Sequence, residues 1–586
     1  MPKAGRQRAT AFIRRSSALG CVGAALVATP LPSPLPGPGG PARAADAPID
    51  EAACAGLAGK PVDAGVIGLP TRGATITSAV PTPAAPAGAD ATGKATPALP
   101  AFCKVLGGIA PVDPAAPAIR FQVNLPAAGA WNGKAVQYGG GGFNGVLITG
   151  LDPLRDAPPE VPPPLAQGYV TLGTDSGHQA DALPEIQAFA LNDEALTNFA
   201  YASYKKVHDV AVELARRAYG RPPARFYFFG GSEGGREGLT MAQRFPADFD
   251  GILSAVPVIN WTALQAAGTR NGVVQQRDGG WLSPAKVAAL HKGVLAACDG
   301  LDGLADGIVS HHEGCGAAFD AGRLRCPDGR DSGDACLSDA QVRAVEAFRT
   351  PYDMGVPLAN GLTGYPAWSY GGEDQPGGMV QWTTGPKPPA HPLPPPAEQS
   401  RGWYYGSGAV RYFLARDPAY DPRGFSPAAF ADRVREVSAL MDSTDPDLSA
   451  FQARGGRLIL KENAADYAQS PLAGIDYYKS VVARMGQDAA DRFVRFYVSP
   501  GSNHSGNGVR GTDGTPIPQY TDFLGALDAW VEKGEAPGDS LVQTSQAAKP
   551  PFAVTSSRPL CRYPGYPRYK GSGDPLSADS FTCATP

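Results

Sequence analysis

The chain has 586 residues, 43% of them hydrophobic and 18% charged, with a net charge of −4. That balance describes a globular protein too long for one simple core, and it excludes the strongly basic surface that nucleic-acid binding requires. The 73 glycines and 59 prolines predict many turns and long irregular stretches between regular elements.

Residues 1–44 read as a signal peptide. Arg6, Arg8, Arg14 and Arg15 precede the apolar run Ala18 to Thr29, and Ala42-Arg43-Ala44 supplies an A-x-A cleavage site. No later apolar run is long enough to span a bilayer, so the mature protein is expected to be secreted or periplasmic, with no membrane anchor. Cys21 falls inside the signal, which leaves Cys54, Cys103, Cys298, Cys315, Cys326, Cys336, Cys561 and Cys583. An even number in an oxidising compartment predicts disulfides. Nearness along the chain favours 298 with 315, 326 with 336 and 561 with 583, leaving 54 with 103.

The first part of the expected core, 45–259, opens with an Ala/Pro/Gly-rich stretch to about residue 100 that reads as a surface wrap. Short β-rich runs follow at Ile119 to Leu125, Lys134 to Tyr138, Tyr169 to Thr174, Arg225 to Phe229 and Gly251 to Val258. Helical spacing appears between several of them, most clearly in Val207, Val210, Ala211, Leu214 and Ala218. Strands alternating with helices predict an α/β fold with a mostly parallel sheet. From 260 to 455 the pattern changes to cysteines, glycines, aromatics and a proline-rich segment, which reads as an inserted lid. The αβ pattern resumes over 456–586 with strands Arg457 to Lys461 and Val494 to Val498, and helices at Pro471 to Met485 and Leu524 to Glu532. Beyond Gln546 the tail reads as irregular and closed by Cys561 and Cys583.

Gly230-Gly231-Ser232-Glu233-Gly234 fits the G-x-S-x-G nucleophile elbow, whose glycines permit the sharp turn that exposes a serine above a sheet. In so glycine-rich a chain the pattern alone decides little. Its setting decides more, because a buried-strand pattern precedes it and a helix can follow. The order Ser, acid, His along the chain then selects His504, after the strand Val494 to Val498, and Asp466, after the strand Arg457 to Lys461, with Glu462 a second choice for the acid. Glycines 139–142 follow a strand and can offer backbone N–H groups to an oxyanion, Gly141 and Gly142 foremost, together with the amide of Glu233. Asp299, Asp302 and Asp306 lie in a glycine-rich turn whose oxygens suit calcium, with a plain acidic turn as the alternative.

These segments resemble the tannase and feruloyl esterase family of α/β-hydrolases. The resemblance is carried by Asn132-Gly133-Lys134 and the glycine run, Thr174-Asp175-Ser176-Gly177-His178, Phe229 to Arg236, Phe249-Asp250-Gly251-Ile252, the Asp299 loop and Gly501 to Gly506. It implies an α/β-hydrolase core with a large inserted lid domain, a triad of Ser232, Asp466 and His504, and an exported serine esterase. The implied substrates are small aromatic carboxylic esters of feruloyl, galloyl or mono-terephthaloyl type. It also implies a structural Ca2+ in the lid, held by Asp299, Asp302 and Asp306 and by the carbonyls of Leu304 and Ile308. The family usually joins a cysteine before the serine to one after the histidine; this chain has Gly231 and Ser505 there. Trp368, Trp382, Trp403, Tyr404 and Tyr405 are candidates for an aromatic pocket, and Arg411 for a substrate carboxylate anchor. The competing readings are a non-catalytic phenolic- or polysaccharide-binding protein on this scaffold, and a lipase or peptidase with the same triad.

Overall fold

The computed structural model describes residues 50–89, 95–127, 129–506 and 508–586. The expected signal segment lies outside the described residues. Ten strands form one sheet: β1 (Pro61–Val62), β2 (Ala74–Thr82), β3 (Phe102–Ile109), β4 (Ile119–Pro126), β5 (Lys134–Tyr138), β6 (Val170–Thr174), β7 (Arg225–Gly231), β8 (Gly251–Ala255), β9 (Arg457–Asn463) and β10 (Val494–Ser499). Their spatial order is β1-β2-β3-β4-β6-β5-β7-β8-β9-β10. The first four are antiparallel to their neighbours, and every pairing from β6 through β5 to β10 is parallel. This is an α/β-hydrolase core.

Burial on both faces explains the strand sequences. In β7, Phe226 and Phe228 enter the cluster under helices α1 (Ser203–Tyr219), α2 (Glu233–Arg244) and α5 (Pro471–Met485), while Tyr227 and Phe229 face α6 (Phe523–Lys533). A strand covered on both sides needs a near-continuous apolar run instead of alternation. Helix α1 buries Val207, Val210, Ala211 and Leu214 along one face and stops at Gly220, whose φ of 74° closes the last turn. Strand β8 ends at Ala255, short of the expected Val258, because Val256 turns to a φ of 40° and Pro257 has no N–H to donate.

Two expectations are corrected. The stretch before residue 100 is no surface wrap: β2 pairs with β3 along the sheet, and Ile76 and Val105 are fully buried. Its alanines and prolines hid a strand whose buried positions, Ala74 and Ala79 beside Ile76, are mostly small. The tail is regular too, with hairpins Ser540–Gln546 with Val554–Cys561 and Tyr566–Tyr569 with Phe581–Ala584. Serine- and glutamine-rich strands at a surface lack the apolar alternation that would announce them.

The chain leaves the sheet after β8 and returns as β9. Between them lie helices α3 (Trp261–Gln276), Pro284–Cys298, Asp339–Phe348, α4 (Arg401–Gly408) and Ala431–Met441, which share a cluster that includes Trp261, Leu290, Val345, Phe413 and Met441. The disulfides are 54–103, 298–315, 326–336 and 561–583, the pairing expected from nearness. Among the described residues, no helix is long and apolar enough to cross a membrane.

Candidate active site

Parallel strands deliver loops to the same edge of the sheet, and three such loops meet here. Ser232 follows β7 directly with φ 61° and ψ −122°, a conformation that a non-glycine residue adopts only when the surroundings hold it. The glycines of the elbow are needed for close approach. A Cβ on Gly230 would stand 2.1 Å from the Gly234 carbonyl oxygen, and one on Gly234 would stand 2.8 Å from that of Gly140.

His504 Nε2 lies 2.9 Å from Ser232 Oγ, and His504 Nδ1 lies 2.6 Å from Asp466 Oδ2. Asp466 is buried, and its Oδ1 accepts the amides of Ala468 at 2.8 Å and Gln469 at 3.2 Å. Glu462, the second choice for the acid, does not touch the histidine. It is fully buried beside Asp466 and accepts Gln469 Nε2 at 2.6 Å; burial, and next the Asp466 charge, push its carboxyl well above the usual range.

The oxyanion side corrects one expectation. Gly141 N–H donates to Asn144 Oδ1 at 2.6 Å, Gly140 N–H to Glu237 Oε2 at 2.8 Å and Gly139 N–H to the Phe229 carbonyl at 2.8 Å. Gly141 is therefore spoken for by the side chain of a residue that itself turns back with φ 58°. The amides of Gly142 and of Glu233, the first residue of α2, donate to no acceptor among the described residues, and both residues line the cavity that contains Ser232. At the positive end of α2, two such amides can attract a negatively charged oxygen. Glu237, which had no sequence signal, organises this loop: it also accepts Asn144 Nδ2 at 2.9 Å and the Tyr204 hydroxyl at 2.5 Å. His178 is fully buried and bonds the Phe143 carbonyl through Nε2 at 2.7 Å; burial lowers it to about 4, so it is neutral and serves as a donor here.

The cavity over Ser232 holds about 270 Å³, enough for one ring system. Phe143, Trp261, Trp368, Trp382, Tyr405 and Tyr467 form its aromatic walls, and Arg401 and Glu233 also line it. Arg401 stacks over Trp382 at 5.2 Å, and the Trp382 ring stands edge-on to His504 at 5.3 Å. Trp368, Trp382 and Tyr405 thus sit where expected.

Three substrate candidates do not: Tyr404 lies against the Tyr405 ring at 5.7 Å but does not line the cavity, and Trp403 and Arg411 are engaged elsewhere. Trp403 is 1% exposed, donates to the Ala390 carbonyl at 3.0 Å and fills the space left by Gly272, so it packs the lid. Arg411 pairs with Glu185 at 2.7 Å and caps the Pro418 carbonyl, away from the cavity. Sequence reasoning missed Trp261, Tyr467 and Arg401; helix phase in the inserted segment separates Arg401 from Arg411, and no periodic pattern there displays it.

The loop after Pro284–Cys298 carries the expected calcium donors. Asp299 Oδ2 accepts Gly307 N–H at 2.9 Å, Asp302 Oδ1 accepts Leu304 N–H at 3.0 Å, and Asp302 Oδ2 is buried without a hydrogen-bond partner. That orphaned oxygen fits a hard cation. Asp306 differs, because its Oδ2 is engaged by Arg558. In a separate group of His208, Asp209 and Asp248, the two carboxylates already hold the ammonium of Lys205, 2.8 Å from Asp209 and 2.9 Å from Asp248, and His208 Nδ1 lies 2.9 Å from Asp209 Oδ1.

A family model described as tannase and feruloyl esterase matches residues 103–584. Among characterised and uncharacterised relatives, an uncharacterised esterase of Agrobacterium fabrum is 39% identical over 91% of this chain and 93% of its own. The mono(2-hydroxyethyl) terephthalate hydrolase of Piscinibacter sakaiensis is 32% identical over 86% of this chain and 87% of its own. Of solved structures, feruloyl esterase B from Aspergillus oryzae superposes with a TM-score of 0.70 at 23% identity, over 91% of this chain and 100% of that one. Tannin acyl hydrolase from Aspergillus niger follows with 0.68 at 19%, over 92% and 95%. At those identities the two structures speak to the fold.

Proposed function

The chain belongs to the tannase and feruloyl esterase family and is a carboxylic ester hydrolase, and on that premise we propose that it is an exported serine esterase that cleaves small aromatic carboxylic esters. The observation that carries this reading is the hydrogen-bonded series Ser232–His504–Asp466 opening onto an aromatic cavity of about 270 Å³.

In the proposed reaction His504 Nε2 takes the Ser232 proton as Oγ attacks the ester carbonyl. Asp466 keeps Nδ1 protonated and aimed, and it stabilises the imidazolium. The tetrahedral oxyanion rests on the amides of Gly142 and Glu233. His504 then returns the proton to the departing alcohol, leaving an acyl group on Ser232. Water, deprotonated by His504, attacks that acyl-enzyme, and its collapse releases the aromatic acid with the proton back on Ser232. The aromatic walls favour stacking of an aryl acyl group.

Export rests on the four disulfides and the signal segment read from the sequence. A structural calcium rests on the orphaned Asp302 oxygen. Asp299, Asp302 and the carbonyls of Leu304 and Ile308 would hold it, with Asp306 joining once released from Arg558, and the ion would tie the lid loop with no part in proton transfer. Dialysis against a chelator is expected to remove about one calcium per chain and lower Tm by several degrees; metal-free protein with unchanged Tm contradicts it. The substrate proposal is tested with feruloyl, galloyl, mono-terephthaloyl and long-chain acyl esters on wild type and Ser232→Ala. Preference for one of the aromatic acids, lost in the variant, is expected; preference for long acyl chains sinks the aromatic assignment.

A further inference from the structure

The three catalytic loops are not held together equally. The acid and histidine loops are laced by Ala464 N–H to the Ser499 carbonyl at 2.9 Å, Ala465 N–H to the Ser502 carbonyl at 3.1 Å and Asn463 Nδ2 to the Asn503 carbonyl at 2.6 Å. The elbow is tied to the end of β8 instead, through Ser232 N–H to the Ala255 carbonyl at 2.9 Å and Val258 N–H to the Ser232 carbonyl at 3.3 Å. Among the described residues, no hydrogen bond joins elbow and histidine loop directly except the Ser232–His504 bond itself. One such bond is worth only about 1 kcal/mol net, too little to fix a loop.

Arg155 occupies that seam. Its Nη2 donates to the carbonyl oxygen of His504. At its other side it lies against Gly231, where an added Cβ would stand 2.6 Å from Nη1 and 2.7 Å from Cδ. The guanidinium therefore fills the room of the side chain that residue 231 lacks. The segment that carries it is anchored: Asp156 Oδ2 accepts Lys461 Nζ at 2.6 Å in a buried pair, and the Asp156 carbonyl accepts Thr521 N–H at 2.8 Å. Lys461 lies on β9, the strand that leads to Asp466. One short segment thus touches the elbow, the acid strand and the histidine loop.

We propose that Arg155 is a positioning residue that aligns His504 on Ser232, and that Gly231 is required because any side chain there would evict it. The proposal rests on Ser232 and His504 being nucleophile and base. Arg155 does not line the cavity, so its loss should leave substrate binding alone. A misplacement near 1 Å at a reacting centre costs about 10²-fold, which sets the scale of the effect.

The test measures kcat and KM on a soluble aromatic ester for Ser232→Ala, Arg155→Ala, Gly231→Ala and the Arg155→Ala/Gly231→Ala pair. Ser232→Ala should be inactive. Arg155→Ala should lower kcat roughly 10- to 100-fold with KM changed less than about threefold. Gly231→Ala should lose a similar factor, and the pair should lose no more than either single variant, because both break one contact. Adding Gly231→Cys with Ser505→Cys to Arg155→Ala should recover most of kcat by a disulfide across the same seam, whereas Gly231→Cys alone should not. Wild-type kcat in Arg155→Ala, or losses that multiply in the pair, overturns the proposal while the inactive Ser232→Ala leaves the site reading standing. Activity in Ser232→Ala would instead remove the reading and the proposal with it. If Arg155→Ala does not fold, Gly231→Ala carries the test alone, and wild-type kcat there overturns the proposal.

Discussion

The sheet and the segment inserted into it contribute different kinds of residue to one cavity. From the sheet come groups fixed by backbone: Ser232 on a strained turn, Asp466 held by two amides, and the Gly142 and Glu233 amides set by a helix start and a pinned loop. From 260–455 come side chains on helices and turns: Trp261, Trp368, Trp382, Arg401 and Tyr405. Fixed groups suit a transition state, whose charge must meet donors already in place, whereas side chains with rotamer freedom suit a substrate ring. On the proposed mechanism, the chemistry sits on the sheet and most of the cavity wall, Phe143 and Tyr467 apart, on the inserted segment, so substitutions should divide largely into those that change kcat and those that change KM.

The largest break in that division is expected in the sheet. Ser232→Ala or His504→Ala should lower kcat on an aromatic ester by about 10⁴-fold or more, with Tm and binding of the free acid nearly unchanged; calorimetry of the free acid beside steady-state rates checks both. Next comes Glu237→Ala, which frees Gly140 and Asn144 and so loosens the oxyanion loop. A kcat loss on the order of 10²-fold is expected, about what removal of one oxyanion donor costs. An unchanged kcat would show that the loop is held by other means.

Substitutions in the inserted segment should be smaller and should move KM. Trp382→Ala is expected to raise KM for a feruloyl or terephthaloyl ester by roughly 10-fold, the value of one aromatic contact, while kcat on a small acetate ester stays within about threefold. Arg401→Gln should penalise an acyl group with a free carboxylate more than an uncharged one, which a paired comparison of rates reads directly.

The smallest effect concerns stability. Glu462 is pushed up by burial and by Asp466, with Lys461 and Arg155 also facing it. A carboxyl raised in the folded state binds its proton more tightly there than in the unfolded chain. The native state therefore loses stability as pH rises from the ordinary glutamate range toward the folded value, and the cost is complete above it. Glu462→Gln removes that cost while keeping a partner for Gln469, so its Tm advantage over wild type should widen as pH rises from about 4 to 8. A constant difference across that range would show that Glu462 is ionised in the fold.

Legibility followed the same division. Strands β5, β7, β9 and β10 announced themselves because burial on both faces demands apolar runs, and the helix α5 came out as Pro471–Met485, bounded by a proline at its start and Gly486 beyond its end. Ser232, Asp466 and His504 were found from strand ends and chain order. The strand Ala74–Thr82 and the tail hairpins were not, since the strand buries mostly alanines and the hairpin strands are rich in serine and glutamine. In the inserted segment residues carried type but no address: Trp382 and Trp403 look alike in sequence, yet one faces His504 and the other is sealed behind Gly272. Arg155 and Glu237 had no signal at all, because each acts by touching backbone far away in the chain.

The most direct test of Ser232 chemistry is to trap the acyl-enzyme. Wild type quenched in acid during turnover of a feruloyl or mono-terephthaloyl ester, then digested and weighed, is predicted to carry the aromatic acyl mass on the peptide containing Ser232, and His504→Ala to carry none. An acyl group on another residue, or full turnover in Ser232→Ala, would contradict it.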